Sequence, residues 1–371
     1  MKKINLGVIF GGRSSEHEVS IVSAKSVCEK IDKKKYNLVQ IGITPQGKWM
    51  YSKNTIEDFQ KNKIKNLEPV SISLNPDEKK LIILNKAGKE ICKLDVVFPV
   101  LHGSFGEDGT IQGLFEMANV PYVGCGVTSS GICFDKITTK MMLDKAGVPN
   151  TKYLWFERDN YRKNKSSLIK NIVNDIKFPC FVKPSRQGSS VGVSKAKNEK
   201  SLIKAIDDAC KFDSKILIEK GITGKEIECA ILGNGNPKAS AVGQILPAGE
   251  FYDFFDKYVD GKSRTRIPAD ISKKAQEEFQ LMALKTYKTL GCAGLARVDG
   301  FYSDEDKALY INEINTLPGF TSISMYPKMW EYSGIKFKEL LEKLIDLAFD
   351  EHKEKNANQI MFDSKSDWFK K

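Results

Sequence analysis

Hydrophobic and polar positions along the chain fall into short apolar runs separated by stripes at helical spacing. Residues 6–10 form a strand-length apolar run that stops at Gly11-Gly12. Ser15 and Glu18 then have the spacing of a capping box, and Ala24, Val27, Cys28 and Ile31 follow at helical intervals. A second strand is predicted over 37–43, and the alternating, lysine-rich segments between about 48 and 94 read as a hairpin elaboration. The run LDVVFPVLHG, starting at Leu94, predicts a fully buried strand. Strand, helix and strand in this order predict βαβ units around a parallel sheet.

The middle of the chain changes character. A helix is predicted from Asp135 to the stop at Gly147-Val148-Pro149. Beyond it, FPCFVKP and GVSKAK read as strands joined by the loop SRQGSS, and a helix over 199–212 leads to the strands SKILIEK and KEIECAILGNG. The last third opens on a charged, aromatic loop, 251–266, and continues with a long helix over about 272–290. The strands GLARVDGFY and ALYINEIN follow, then a helix from Ile335 to about Lys353 and a polar tail. No internal repeat is visible.

Composition narrows the class. With 371 residues and 41% hydrophobic content, the chain can form two or three domains with sizeable cores. The N-terminal basic pair and short apolar run are no secretory core, and the charge-poor run 117–134 is interrupted by Pro121 and three glycines. Neither an export signal nor a membrane span is expected. Eight cysteines, at 28, 92, 125, 133, 180, 210, 229 and 292, show no CxxC pair and no zinc spacing with His. They fit small core residues of a reduced compartment, so a cytoplasmic protein is expected. The net charge of +11 raises the question of nucleic acid, but the lysines are interleaved with acids, as in EDFQKNKIKNLEP, and no arginine-rich helix or aromatic RNA-binding signature appears. A solvated, lysine-rich surface is expected, with no nucleic-acid partner.

Candidate chemistry gathers where apolar runs end. Regular alternation in ALYINEIN would put Glu313 and Asn315 on the face of Leu309 and Ile311. A solvated strand end explains polar residues there without any function; a divalent cation is the sharper reading, because Mg²⁺ takes oxygen ligands. Asp299 shares a strand face with Leu295 and Arg297 in GLARVDGFY. Pairing of the two strands would let Asp299, Glu313 and Asn315 converge, with Arg297 beside them. The loop 185–190, after Lys183, offers glycine, hydroxyls and backbone N–H groups of the kind that cradle phosphate, though not in Walker A order. Lys140 on the preceding helix and Glu219 at an acidic strand end extend this towards a nucleotide clamp between two sheets. His102 follows a buried strand, at the carboxyl end where α/β sheets bind ligands, and a structural and a substrate role are both open to it. FGGRSSEHEVS lacks the third glycine of a dinucleotide loop, which disfavours a nicotinamide cofactor and an oxidoreductase. With Glu18 assigned to the capping box, Glu16 is left to face a ligand.

Together GGRSSEHEVS, LHGSFGEDGTIQG, KPSRQGSSVG, EIECAILG, FYDFFDKY, GLARVDGFY and INEINTLPGFTSISMYP resemble the D-alanine–D-alanine ligases of the ATP-grasp superfamily, from Gly7 to about Asp350. The resemblance implies an α/β ATP-grasp fold. A Rossmann-like parallel-sheet domain would occupy 1–124, a central ATP-grasp subdomain 125–221, a C-terminal subdomain with the catalytic and metal site 222–353, and a polar tail 354–371. It implies ATP-dependent ligation of two D-alanine molecules through an acyl phosphate, for peptidoglycan precursors. Lys140, Lys183 and Lys257 would bind ATP phosphates, Glu219 the adenine side and Glu226 the ribose hydroxyls. Asp299, Glu313 and Asn315 would hold two Mg²⁺ ions, with Mn²⁺ able to substitute. Glu16 would hold the first substrate's ammonium in a network with Ser189 and Tyr258. Arg297 and the N–H of Gly319 would stabilise the tetrahedral oxyanion, and Ser324 would bind the second substrate's carboxylate, with His102 and Met325 as further substrate contacts. A homodimer is implied by analogy. In the family's mobile loop the acid has moved by one position, giving Tyr252-Asp253-Phe254-Phe255-Asp256-Lys257-Tyr258. Met325 stands where D-serine-using members typically carry Arg, and Tyr258 is a residue that D-lactate-using members lack, so D-alanine is the expected second substrate.

Overall fold

Three sheets organise the chain, in a computed structural model that describes residues 3–86, 88–246 and 264–360. In the first sheet β1 (Ile4–Gly11) pairs in parallel with β2 (Tyr36–Ile43) and β7 (Val96–Val100), and α1 (His17–Lys30) links β1 to β2. All of β7 is buried, as the unbroken apolar run predicts. Between β2 and β7 the chain extends the sheet with antiparallel β3 (Trp49–Tyr51), β4 (Glu68–Ile72), β5 (Lys80–Ile83) and β6 (Lys89–Lys93), with the short helix α2 (Thr55–Gln60) between β3 and β4, giving the order β6-β5-β4-β3-β2-β1-β7.

The start of α1 differs from the predicted capping box. The helix begins at His17, Glu16 stands at the cap position without capping it through its side chain, and the Ser14 hydroxyl accepts the Glu16 N–H at 3.1 Å. The turn is therefore made by Ser14, one residue earlier than predicted, and the Glu16 carboxylate is directed at loops.

After β7 come α3 (Thr110–Met117) and α4 (Val127–Phe134), two helices too short for their periodicity to be read, then α5 (Lys136–Lys145). Asp135 caps α5, accepting the Thr138 N–H at 3.2 Å. The second sheet is antiparallel, in the order β10-β9-β11-β8: β8 (Tyr153–Glu157), β9 (Cys180–Pro184), β10 (Ser194–Ala196) and β11 (Lys215–Lys220). The helices α6 (Arg158–Asp175) and α7 (Glu199–Ala209) pack on it around Val182, Ile206, Ile216 and Ile218.

The third sheet runs β14-β13-β12-β15-β16, with β12 (Gly224–Leu232), β13 (Lys238–Leu246), β14 (Arg264–Arg266), β15 (Leu295–Ser303) and β16 (Leu309–Asn315). One face buries Ile227, Cys229, Ala296 and Val298 against Phe279, Ala283 and Tyr287 of α8 (Lys273–Thr289). The other face is divided. Ala230, Leu232 and Leu295 lie in one core with α9 (Met325–Tyr332) and α10 (Phe337–Asn356), while Glu226, Glu228, Arg297 and Asp299 line an open cleft. That core also contains Leu6, Val8, Phe10 and Phe98 of the first sheet, so first and third sheets share it. The last helix passes the predicted end at Lys353, and Lys355 pairs with Glu116 at 2.6 Å. Among the described residues no helix is long and apolar enough to cross a membrane.

Candidate active site

A β-bulge builds one wall of the cleft. β15 and β16 pair as Arg297–Asn315, Val298–Ile314 and Asp299–Glu313, and the register then jumps to Gly300–Ile311, which makes Asn312 the extra residue. This corrects the alternation expected from the sequence. Leu309, Ile311 and Ile314 all join the core under α8, and Glu313 and Asn315 take the opposite face with Asp299 and Arg297. On the other side of β15, Glu228 stands opposite Asp299. Glu228, Asp299 and Glu313 thus form a row of carboxylates across three strands.

Cations answer this row. Arg297 donates from Nε and Nη2 to the two Asp299 oxygens, both at 2.7 Å, and its Nε lies 3.3 Å from Glu228 Oε2. Lys136, the first residue of α5, lies 3.2 Å from Glu313 and donates to the Gln187 carbonyl at 2.8 Å. Asn315 Oδ1 accepts the Leu317 N–H at 2.9 Å.

The facing wall comes from the second sheet. Glu219 on β11 is buried and sits 2.6 Å from both Lys183 and Lys140, with the Thr151 hydroxyl donating to it at 2.6 Å. Burial by itself would raise this carboxyl; the two ammonium groups outweigh it and hold Glu219 well below the usual carboxylate range. Burial likewise opposes the charge on Lys183, but Glu219 and Glu313 more than offset it. Lys183 also donates to Asn312 at 3.1 Å, so the bulge residue ties the two walls together. Lys140 is only 1% exposed, with its ammonium donating to Thr151 Oγ1 at 2.7 Å. It stands behind Glu219, and the cleft surface is lined by Lys183.

The cleft measures about 420 Å³ and brings together Lys183, Ser189, Glu219, Glu226, Arg297, Asp299 and Glu313. Glu16 lies behind Ser189 at one end of the cleft. The Ser189 hydroxyl donates to Glu16 Oε1, and Ser189 and Ser190 have φ of 47° and 60°, a region uncommon outside glycine. A Cβ on Gly188 would sit 2.7 Å from Glu16 Oε2, and one on Gly103 3.0 Å from the same oxygen. Both loops thus approach that carboxylate closely at a glycine, and Gly103 also takes a φ of 74°. Glu107 stands in the same region; it accepts the Gly103 N–H at 2.9 Å, and burial, with the Glu16 charge adding to it, pushes its carboxyl up to about 8.

Comparison with known proteins decides the family. A model described as D-ala D-ala ligase N-terminus matches residues 5–125, and one described as D-ala D-ala ligase C-terminus matches residues 142–346. The chain belongs to the D-ala D-ala ligase family. The D-alanine--D-alanine ligase of Ruminiclostridium cellulolyticum is 47% identical over 95% of this chain and 97% of its own length. That of Acetivibrio thermocellus is 48% identical over 92% and 94%. Among solved structures, the D-alanine-D-alanine ligase from Coxiella burnetii superposes with a TM-score of 0.84 at 34% identity, covering 96% of this chain and 97% of that one. The VanG D-Ala:D-Ser ligase from Enterococcus faecalis has a TM-score of 0.83 at 38% identity, covering 94% and 100%. The expected α/β ATP-grasp class holds.

For a member of this family the remaining predicted residues are placed as follows. His102 is buried, Nδ1 lies 3.0 Å from the Leu317 carbonyl and Nε2 3.1 Å from the Ser23 hydroxyl, and burial holds its pKa below the ordinary value. Both ring nitrogens are engaged, so His102 ties the end of β7 to the loop after β16. Gly319 and Ser324 are neighbours: a Cβ on Gly319 would meet Ser324 Oγ at 2.7 Å, and that oxygen accepts the Thr321 N–H at 3.0 Å. Met325 is not on the cleft wall. It is 5% exposed, and its Cε fills the space left by Gly243, where a Cβ would come within 2.2 Å. Lys257 and Tyr258, with Asp256, lie outside the described residues. Lys136, Glu107, Asn312 and Glu228 are site residues that sequence reasoning missed. Glu107 lies inside LHGSFGEDGTIQG and Lys136 directly follows the capping Asp135, whereas Asn312 and Glu228 are revealed only by strand register.

The donor chemistry of Asp299, Glu313 and Asn315 suits Mg²⁺: carboxylate and amide oxygens on adjacent strands. Among the described residues, no three ligating side chains of acid, His or Cys type are gathered in coordinating positions. Asp299 pairs with Arg297 and Glu313 with Lys136, so each carboxylate would share its charge between that partner and an ion.

Proposed function

We propose that the protein ligates two D-alanine molecules to D-alanyl-D-alanine, converting ATP to ADP and phosphate, to supply a peptidoglycan precursor. The observation that carries this reading is the cleft itself, where Lys183 and Glu219 of one sheet face Arg297, Asp299 and Glu313 of another, with Glu16 enclosed at its end. ATP lies between the sheets, with Lys183 on its phosphates, Glu226 on the ribose and Glu219 on the adenine side. Asp299, Glu313 and Asn315 would hold Mg²⁺, which reduces the repulsion between the triphosphate and an attacking carboxylate.

Glu16, fixed by Ser189, takes the ammonium of the first D-alanine. A carboxylate oxygen of that D-alanine bonds to the γ-phosphorus as the bond to ADP breaks. The amine of the second D-alanine, held through its carboxylate at Ser324, then adds to the acyl carbon. The Arg297 guanidinium and the Gly319 N–H stabilise the oxyanion, the C–O bond to phosphate breaks, and the amine's proton passes to solvent. Lys257 and Tyr258 complete the phosphate and ammonium contacts in this reading, and the enzyme acts as a cytoplasmic homodimer.

The likeness to a D-Ala:D-Ser ligase makes D-serine the second reading for the second substrate. Met325 argues against it. Its side chain turns into the core over Gly243, away from the cleft wall, so the position where D-serine-using members typically carry Arg presents a serine hydroxyl with no donor. Phosphate release should require Mg²⁺ and D-alanine together. With equal D-alanine and D-serine, mass analysis should find mostly D-Ala-D-Ala; mostly D-Ala-D-Ser would replace the assignment, and nucleotide-independent redox turnover would remove it.

A further inference from the structure

The row of carboxylates across β12, β15 and β16 has one member, Glu228, to which the mechanism above gives no work. We propose that Glu228 is a positioning residue for Arg297, holding the guanidinium at the reacting centre while Asp299 serves the metal. The inference rests on the ligase reading and deepens it.

Strand register sets the arrangement. Glu228 on β12 lies opposite Asp299, Ala230 lies opposite Arg297, and Glu313 on β16 flanks Asp299 from the other side. Asp299 is therefore the middle carboxylate of three. Arg297 occupies the β12 side of it, within 3.3 Å of Glu228 and 2.7 Å of Asp299. Glu313 and Asn315, the other predicted metal ligands, are both on β16. The row divides accordingly: Asp299 and Glu313 would hold the cation, and the guanidinium lies between Asp299 and Glu228.

The division matters because Asp299 is asked to do two things. It now gives both oxygens to Arg297 as a bidentate fork. An oxygen that coordinates a divalent ion shares its charge with that ion, and the fork to the guanidinium weakens. Arginine has many rotamers, so a side chain released from its main anchor loses its aim. Glu228 supplies a second anchor that the metal does not draw on. It is buried, its side chain is 8% exposed, and its charge is directed at the same guanidinium. A buried carboxylate is retained at a site only with such a partner.

The test is a double-mutant cycle on the full chain with Glu228→Gln, Glu228→Asp and Arg297→Ala, with wild type assayed in parallel. Glu228→Gln keeps shape and removes charge. It should lower kcat on the order of 10- to 100-fold, the scale of a misaimed oxyanion donor, with KM for ATP within about threefold. In the Arg297→Ala background the same change should cost less than about threefold, because its target is gone. Calorimetric binding of Mg²⁺ with a non-hydrolysable ATP analogue should stay within about threefold of wild type. Glu228→Asp, which keeps the charge, should recover part of the loss and serves in the cycle should the Gln variant fail to fold. An unchanged kcat in Glu228→Gln, equal losses with and without Arg297, or a tenfold loss of Mg²⁺-nucleotide affinity would each overturn the proposal. Absence of turnover in the wild type would instead overturn the ligase reading.

Discussion

Glu313 and Glu107 show how differently two carboxylates can be held. Glu313 pairs with Lys136 at the cleft surface, its side chain 32% exposed, so losing that pair costs under about 1 kcal/mol. In the proposed mechanism its charge holds Mg²⁺, and Glu313→Gln should abolish turnover, by at least about 100-fold, with the melting temperature almost unchanged. Wild-type activity in that variant would remove Glu313 from the metal site. Glu107 is 8% exposed, with its carboxyl raised from 4.5 to about 8, burial being the main cause. The folded protein thus holds this proton more tightly than the unfolded chain. Below the unfolded pKa both states carry it; as pH rises towards 8 the unfolded state ionises first and stability is lost. Glu107→Gln should match wild type in melting temperature near pH 4.5 and exceed it increasingly towards pH 8. Parallel melting curves against pH for the two proteins would refute this.

Elements matter here chiefly through their ends. Asp135 caps α5, accepts the Ser185 hydroxyl at 2.6 Å and lies 3.2 Å from Lys215, so one carboxylate fixes the start of the helix to the end of β9 and the start of β11. Burial would raise this carboxyl, but the Ser185, Thr138 and Lys215 contacts hold it below the usual range. The same helix carries Lys136 and Lys140. Asp135→Ala removes a cap worth about 1 kcal/mol and frees buried partners, for a total of about 1–3 kcal/mol in urea unfolding. KM for ATP should rise with it, since Lys136 is displaced from Glu313 and Gln187. Unchanged stability and KM would show that the cap is redundant. The predicted helix start at Asp135 was legible because the sequence places an Asp before helix-forming residues. The bulge at Asn312 was not, because period-two alternation carries no sign of an inserted residue.

At the scale of the whole molecule the cores are unequal. Leu6, Val8 and Phe98 of the first sheet share a core with Leu295, Tyr326 and Leu344, whereas the second sheet has its own, around Val182, Ile206 and Ile218. His102 reinforces the first union through the Leu317 carbonyl. The second sheet is held to the others largely by polar contacts such as Lys183 with Asn312 and Ser189 with Glu16. Native-state hydrogen exchange should therefore find amides of β9 and β11 opening at lower free energy than those of β1, β7, β12 and β15. Equal protection in all three sheets would mean that the molecule opens as one unit.

The sequence by itself determined the order of strands and helices around the site, the glycine and serine loop, the acids and lysines of the cleft, and the family. These are local properties: apolar periodicity, capping residues and turn chemistry act within a few residues of where they are written. Tertiary structure alone decided which face Glu313 takes, that Lys140 lies behind Glu219, that Met325 fills a gap over Gly243, and that Glu228 stands opposite Asp299. Each depends on the register between strands or the depth of a side chain, and both are set by partners far along the chain. A carboxylate is spelled the same way whether it meets water, a lysine or another carboxylate; only packing settles which.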